Sequence, residues 1–165
     1  MRFNPIYSAL LYAFYTLEGR IRLGPSQMDI EVFGDKTFTA YRHISIRKNI
    51  KESTSVFWVR FTLPGRIGFE RNRRISARAI PFFCGLPGFR KKYWCVHKGS
   101  NEYLGLYEWS PPERALEYSD SYALRFMTQR AAVGSVNHGI FPNMTLDRLL
   151  SQEESIVLNP WMRKV

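Results

Sequence analysis

Residues 87–118 constrain the fold of this chain more than any other stretch. Phe89-Arg-Lys-Lys-Tyr-Trp-Cys-Val-His97 alternates aromatic with basic residues, Lys98-Gly99-Ser100-Asn101 supplies turn chemistry, and Tyr103-Leu-Gly-Leu-Tyr-Glu-Trp109 is again rich in strand formers. Two such runs joined by a short polar turn predict an antiparallel β-hairpin. Ser110-Pro111-Pro112-Glu113 follows at once: an N-cap candidate, proline in the first turn, and a glutamate three residues after the serine, where it could close a capping box. A helix is predicted to start there.

Other segments fit around this block. Ser55-Val-Phe-Trp-Val-Arg-Phe-Thr-Leu63 is a strand candidate, residues 68–83 carry arginines and apolar residues compatible with a helix, and residues 134–141 suit a last strand. Upstream, Ile6 to Leu17 is nearly all apolar or aromatic and then turns basic at Arg20 and Arg22. So short a run cannot span a bilayer, which takes about 20 residues, and it lacks the basic start and small-residue cleavage site of a secretory signal. It reads as a helix packed on the rest of the protein or in a dimer interface. The alternative is an interfacial helix with the arginines at lipid phosphates. After Gly24-Pro25, alternation over Met28–Phe33 and Thr37–Ile46 around Gly34-Asp35 predicts an additional hairpin, and Lys48–Ser53 reads as a linker. The organisation is thus an N-terminal extension over 1–50, a core domain over 51–145, and a tail over 146–165 holding a short amphipathic piece, Leu146–Leu150, and a segment ending at Trp161. With 165 residues the chain suits one domain with a proper core.

The formal charge is +10, from 24 Lys and Arg against 14 Asp and Glu, which favours anionic partners. Only Arg71-Asn-Arg-Arg74 and Arg90-Lys-Lys92 are dense, and neither carries a nucleic-acid-binding signature, so nucleic acid is not expected. Cys84 and Cys95 make neither a metal-ligand pattern nor a disulfide framework; they read as small core residues in a reducing, cytoplasmic setting. No phosphate loop, no His-Glu-x-x-His and no Gly-x-Ser-x-Gly is present, and His43, His97 and His138 stand isolated in predicted strands. No metal is expected.

Taken together, Pro87-Gly88-Phe89, Lys92-x-Trp94, Gly105-Leu106-Tyr107, Trp109 and Ala115-Leu116-x-Tyr118 resemble the dimeric α+β barrel superfamily, in particular its small bacterial proteins of antibiotic-biosynthesis mono-oxygenase type. The resemblance covers about residues 55–143. It implies an α+β, ferredoxin-like order of strand, helix, hairpin, helix, strand, paired as a homodimer, here with an N-terminal helix and hairpin added. It also implies mono-oxygenase-like oxidation of an aromatic or phenolic small molecule in an aromatic-lined barrel cavity. A non-catalytic binding or assembly module, attached to a membrane surface or larger complex through the N-terminal helix, is the competing reading.

Strand alternation groups the candidates for such a cavity. Trp58, Arg60 and Thr62 share one face of their strand, Tyr93, Cys95 and His97 share another, and so do Tyr103, Tyr107 and Trp109; which faces point inward stays open. Arg60, Lys92 or Arg125 could hold a phenolate, and Tyr93, Tyr107 or Trp109 could stack on its ring. With Trp94, Tyr118 and His138 these complete the candidate pocket. The heme-degrading branch of the family has a tryptophan after the third strand, a second nine residues on, and a heme-ligating histidine ten residues further. Trp109 matches the first, Tyr118 occupies the second and Thr128 the third. That departure argues against heme unless His97 or His138 substitutes, and no cofactor is expected.

Overall fold

The computed structural model describes residues 4–24, 27–32, 36–47, 53–97, 99–151 and 163–164. Helix α1, Pro5–Leu17, is fixed at both ends by its sequence. The Asn4 side chain accepts from the N–H groups of Ile6 at 3.0 Å and Tyr7 at 3.2 Å, with Pro5 in the first turn. At the other end Gly19 adopts φ +64°, and the N–H groups of Gly19 and Arg20 donate to the carbonyls of Thr16 and Tyr15 at 3.0 and 2.9 Å. This left-handed turn closes the last helical carbonyls, which glycine does without strain.

Strands β1 (Ile21–Gly24), β2 (Met28–Val32), β3 (Lys36–Ile46), β4 (Ser55–Thr62), β5 (Phe89–His97), β6 (Glu102–Trp109), β7 (Asn137–Phe141) and β8 (Arg163–Lys164) form one antiparallel sheet. Its order is β1-β3-β5-β6-β4-β7-β8, with β2 also on β3. Helices α2 (Phe69–Arg78) and α3 (Ile80–Cys84) connect β4 to β5; α4 (Glu113–Ser119) and α5 (Tyr122–Thr128) connect β6 to β7; α6 (Leu146–Leu150) follows. The expected order of strand, helix, hairpin, helix, strand therefore holds over β4 to β7. The extension is not a separate body: β3 hydrogen-bonds along β5 from Phe38 opposite His97 to Ser45 opposite Lys91.

Several local expectations need correction. The helix over 68–83 is two helices, broken at Ala79 just before Pro81 opens the second. The capping box does not form: Ser110 Oγ donates to the Ser53 carbonyl at 3.3 Å, the Ser110–Pro111 peptide is cis, and α4 starts only at Glu113. That helix also ends early, and Ser121 restarts the chain as α5 by accepting from the Leu124 N–H at 3.2 Å. Strand β1 has no counterpart in the sequence reading, and β7 begins at Asn137 rather than 134. Most of the proposed linker and the segment ending at Trp161 lie outside the described residues.

The sheet separates two apolar layers. On one face Phe57, Phe83, Phe89, Trp94, Tyr107, Trp109, Tyr118 and Leu124 pack under the helices α1 to α5. On the other, Val56, Trp58, Cys95, Leu104 and Leu106 are covered by Ile30, Phe38, Ala40, Leu146 and Leu149. One strand serves both layers. A bulge between Ala40 and Arg42 shifts the alternation in β3, so Phe38 and Ala40 enter the second layer while Ile44 and Ile46 enter the first.

Candidate functional site

A cavity lies in the helix-side layer, and residues from four strands and two helices build it. Strand β5 supplies Lys92 and Trp94, and β6 supplies Tyr103, Gly105 and Tyr107 at alternate positions. Val59 and Phe61 come from β4, Tyr41 from β3, Asn72 from α2, Met127 and Thr128 from α5, and Arg130 from just beyond it. A second bulge, between Phe89 and Lys91, lets Phe89 and Lys92 enter the same layer although they are an odd number of residues apart. Gly105 keeps the floor open, because a Cβ there would stand 2.8 Å from the Tyr107 ring. The cavity measures about 20 Å³, room for about one water.

Lys92 dominates its chemistry. The residue is 2% exposed, and its Nζ stands 3.7 Å from the centroid of Phe83, 4.2 Å from Tyr107 and 4.3 Å from Trp94. It makes no hydrogen bond or ion pair among the described residues. Burial first, and then the charge of Arg130, hold its pKa well below the ordinary lysine value. The ring faces act the other way, since each attracts the charged form. Arg130 has its Nε buried without a partner, as is the Oδ1 of Asn72. Among the described residues no carboxylate lines the cavity. Burial raises the pKa of Tyr41 to about 12 and that of Tyr107 further, so both phenols stay protonated at neutral pH and can donate.

The structure divides the predicted pocket residues. Lys92, Trp94 and Tyr107 line the cavity. Trp109 and Tyr118 lie buried behind it, their ring centroids 4.8 Å apart and Tyr118 5.3 Å from Tyr107. His138 belongs to the same layer, its ring 5.6 Å from that of Phe57. Trp58 and Tyr93 occupy the opposite layer. Arg60 meets Glu102 at 3.1 Å, the carboxylate that Lys36 also meets at 2.6 Å, so its role is to close a charge cluster. His97 sits at the end of its hairpin strand, Nδ1 3.0 Å from Ser100 Oγ. Arg125 is exposed and among the described residues reaches the Asp120 carbonyl, at 3.4 Å. Sequence reasoning missed Arg130, Asn72, Phe83 and Tyr41. Tyr41 sits at a bulge that strict alternation does not show, and the others come from helices or loops that only the fold brings over the sheet. Among the described residues no group of three His, Cys, Asp or Glu could hold a metal ion.

No family model matches the sequence, and no curated protein matches it. Solved structures do. A heme-degrading enzyme from Listeria monocytogenes superposes with a TM-score of 0.52 at 14% identity, over 75% of this chain and 97% of that one. An uncharacterised ferredoxin-fold protein related to antibiotic biosynthesis monooxygenases, from Listeria monocytogenes, gives 0.51 at 13% identity, over 67% of this chain and 66% of that one. A monooxygenase-like protein from Listeria innocua gives 0.50 at 15% identity, over 66% and 65%. The fold is ferredoxin-like. The three neighbours described are a heme-degrading enzyme and two monooxygenase-like or monooxygenase-related proteins, and the match spans just under two thirds of the length of the latter two. Identities this low show a shared fold and no more.

Proposed function

We propose that this chain is a heme-independent, mono-oxygenase-like protein whose cavity takes a phenolic or carboxylate-bearing aromatic small molecule. The observation that carries this reading is the pair Lys92 and Arg130, two basic side chains lining one cavity that no described carboxylate enters. With the Arg130 guanidinium charged and no described acid beside it, such a site is electrostatically short of one anion. With its pKa lowered, Lys92 is suited to take the proton of a bound phenol, after which its ammonium and Arg130 hold the phenolate. An electron-rich anion of this kind can react with O₂ directly. The reaction balances without an added reductant when the phenol C–O and a ring C–H of the substrate both become C=O, giving a quinone, and the second oxygen leaves as water.

Heme does not fit the residues present. Thr128 stands where the resembling branch has its axial histidine, and its hydroxyl donates to the Leu124 carbonyl at 2.8 Å. Neither His97 nor His138 lines the cavity. A second reading, a non-catalytic module, is favoured by the cavity's size: at about 20 Å³ it admits no aromatic ring unless its wall moves. The experiment that separates the two is oxygen uptake with a panel of simple phenols and naphthols. Uptake with at least one substrate, lost in Lys92→Met, supports the enzyme; substrate binding without uptake supports the module; neither binding nor uptake overturns the small-molecule site.

A further inference from the structure

Helix α1 is uncharged along its whole length and turns a continuous apolar stripe outward. Ile6, Leu10, Phe14 and Leu17 recur at helical spacing, three of them 72%, 64% and 88% exposed at positions 6, 10 and 17, while Ser8, Tyr12 and Tyr15 face the protein. Soluble surfaces rarely leave such a stripe open. Helix α2, which like α1 packs on α3, presents a different stripe: Arg71, Arg74 and Arg78 lie opposite its buried Asn72 and Ser76 and have no ion-pair partner among the described residues. The acid of that helix, Glu70, is taken by Arg73 at 3.0 Å.

We propose that the outward face of α1, acting together with the arginine stripe of α2 on the other helix that packs against α3, docks on an anionic lipid surface. Two features favour lipid over a second copy of the chain. A 13-residue helix is about 20 Å long, and one such face against its twin buries well under the roughly 1,200 Å² of a stable interface. The formal charge of +10 makes two copies repel, whereas it draws an anionic bilayer closer. No described helix is long and apolar enough to cross a membrane, so the contact is in the interfacial plane, apolar side chains among acyl chains and guanidinium groups at lipid phosphates.

Co-sedimentation of the full chain with phosphatidylcholine vesicles, with and without phosphatidylglycerol, tests this. Binding is expected only to the anionic vesicles and is weakened by salt. Leu10→Glu with Phe14→Glu is expected to lose about tenfold or more in binding at unchanged melting temperature, because both side chains are exposed, and Arg71→Glu with Arg74→Glu to lose a similar factor. Absence of vesicle binding, or binding indifferent to both pairs, overturns the proposal. So does a dimer in light scattering that Leu10→Glu dissociates, which would assign the face to a second copy.

Discussion

Burying an amine away from water costs several kcal/mol, and around Lys92 three ring faces return part of that at up to about 2 kcal/mol each. No described carboxylate returns the rest, so the folded chain carries a net penalty that an apolar isostere would remove. Lys92→Met is therefore expected to stabilise the protein by about 1–2 kcal/mol, raising the melting temperature by roughly 2–8 °C, while abolishing any anion binding. The effect has a pH signature. A lysine whose folded pKa lies below its unfolded value of about 10.4 binds fewer protons when folded between the two values, so its penalty fades as pH rises through that window. The stability gap between Lys92→Met and the parent should be widest at neutral pH and narrow toward about pH 10. Chemical denaturation of both proteins across that range checks it; a gap that is constant with pH would mean that Lys92 does not titrate abnormally. Among single residues, the aromatic and basic content of the pocket was visible in the sequence. The absence of an acid was not, because Glu102 and Glu108 flank the cavity strand and only the pleat shows that they point to the other side, Glu102 to Lys36 and Glu108 to the Leu146 N–H at 2.7 Å.

The hairpin of β5 and β6 and the helix α1 could be read from residues alone, since turn chemistry, alternation and an apolar run are local signals. Helix boundaries inside 68–83 and after Trp109 could not, because Pro81 and the paired prolines at 111 and 112 admit more than one continuation. The bulges at Tyr41 and Arg90 were also hidden, and they decide which side chains reach the cavity. At this scale the contact most open to test is the crossing of α1 over α3. Gly85 ends α3 where Ser8 of α1 comes so close that a Cβ at 85 would stand 1.9 Å from Ser8 Oγ and 2.3 Å from its Cα. Backbone is among the atoms in the way, so relief requires the helix to move. Gly85→Ala is expected to cost about 1–3 kcal/mol and to expose residues 5–18 to protease. Unchanged stability and unchanged cleavage would show that α1 is not seated on α3.

Across the whole molecule, the sheet has two apolar faces and both are covered by the chain itself: helices α1 to α5 on one, and the β2–β3 ribbon with α6 on the other. The family resemblance implies a homodimer, and a ferredoxin-like sheet with helices on one side only leaves its other face to be covered. Here Ile30, Phe38, Leu146 and Leu149 fill that face, which removes that reason, and the extension and tail that looked peripheral in sequence supply the cover. A monomer of 19.4 kDa is expected by light scattering at micromolar concentration in the absence of lipid; a mass of twice that value would require an interface elsewhere. The central claim concerns what the cavity accepts, and one titration addresses it most directly. 4-Nitrophenol, added to the protein at a pH where it is mostly neutral in solution, should ionise on binding between Lys92 and Arg130 and develop the yellow phenolate absorption to one equivalent per chain. Saturable yellow colour that Lys92→Met abolishes at full folding is the predicted result; binding with no phenolate absorption, or phenolate absorption that persists in Lys92→Met, would contradict the account.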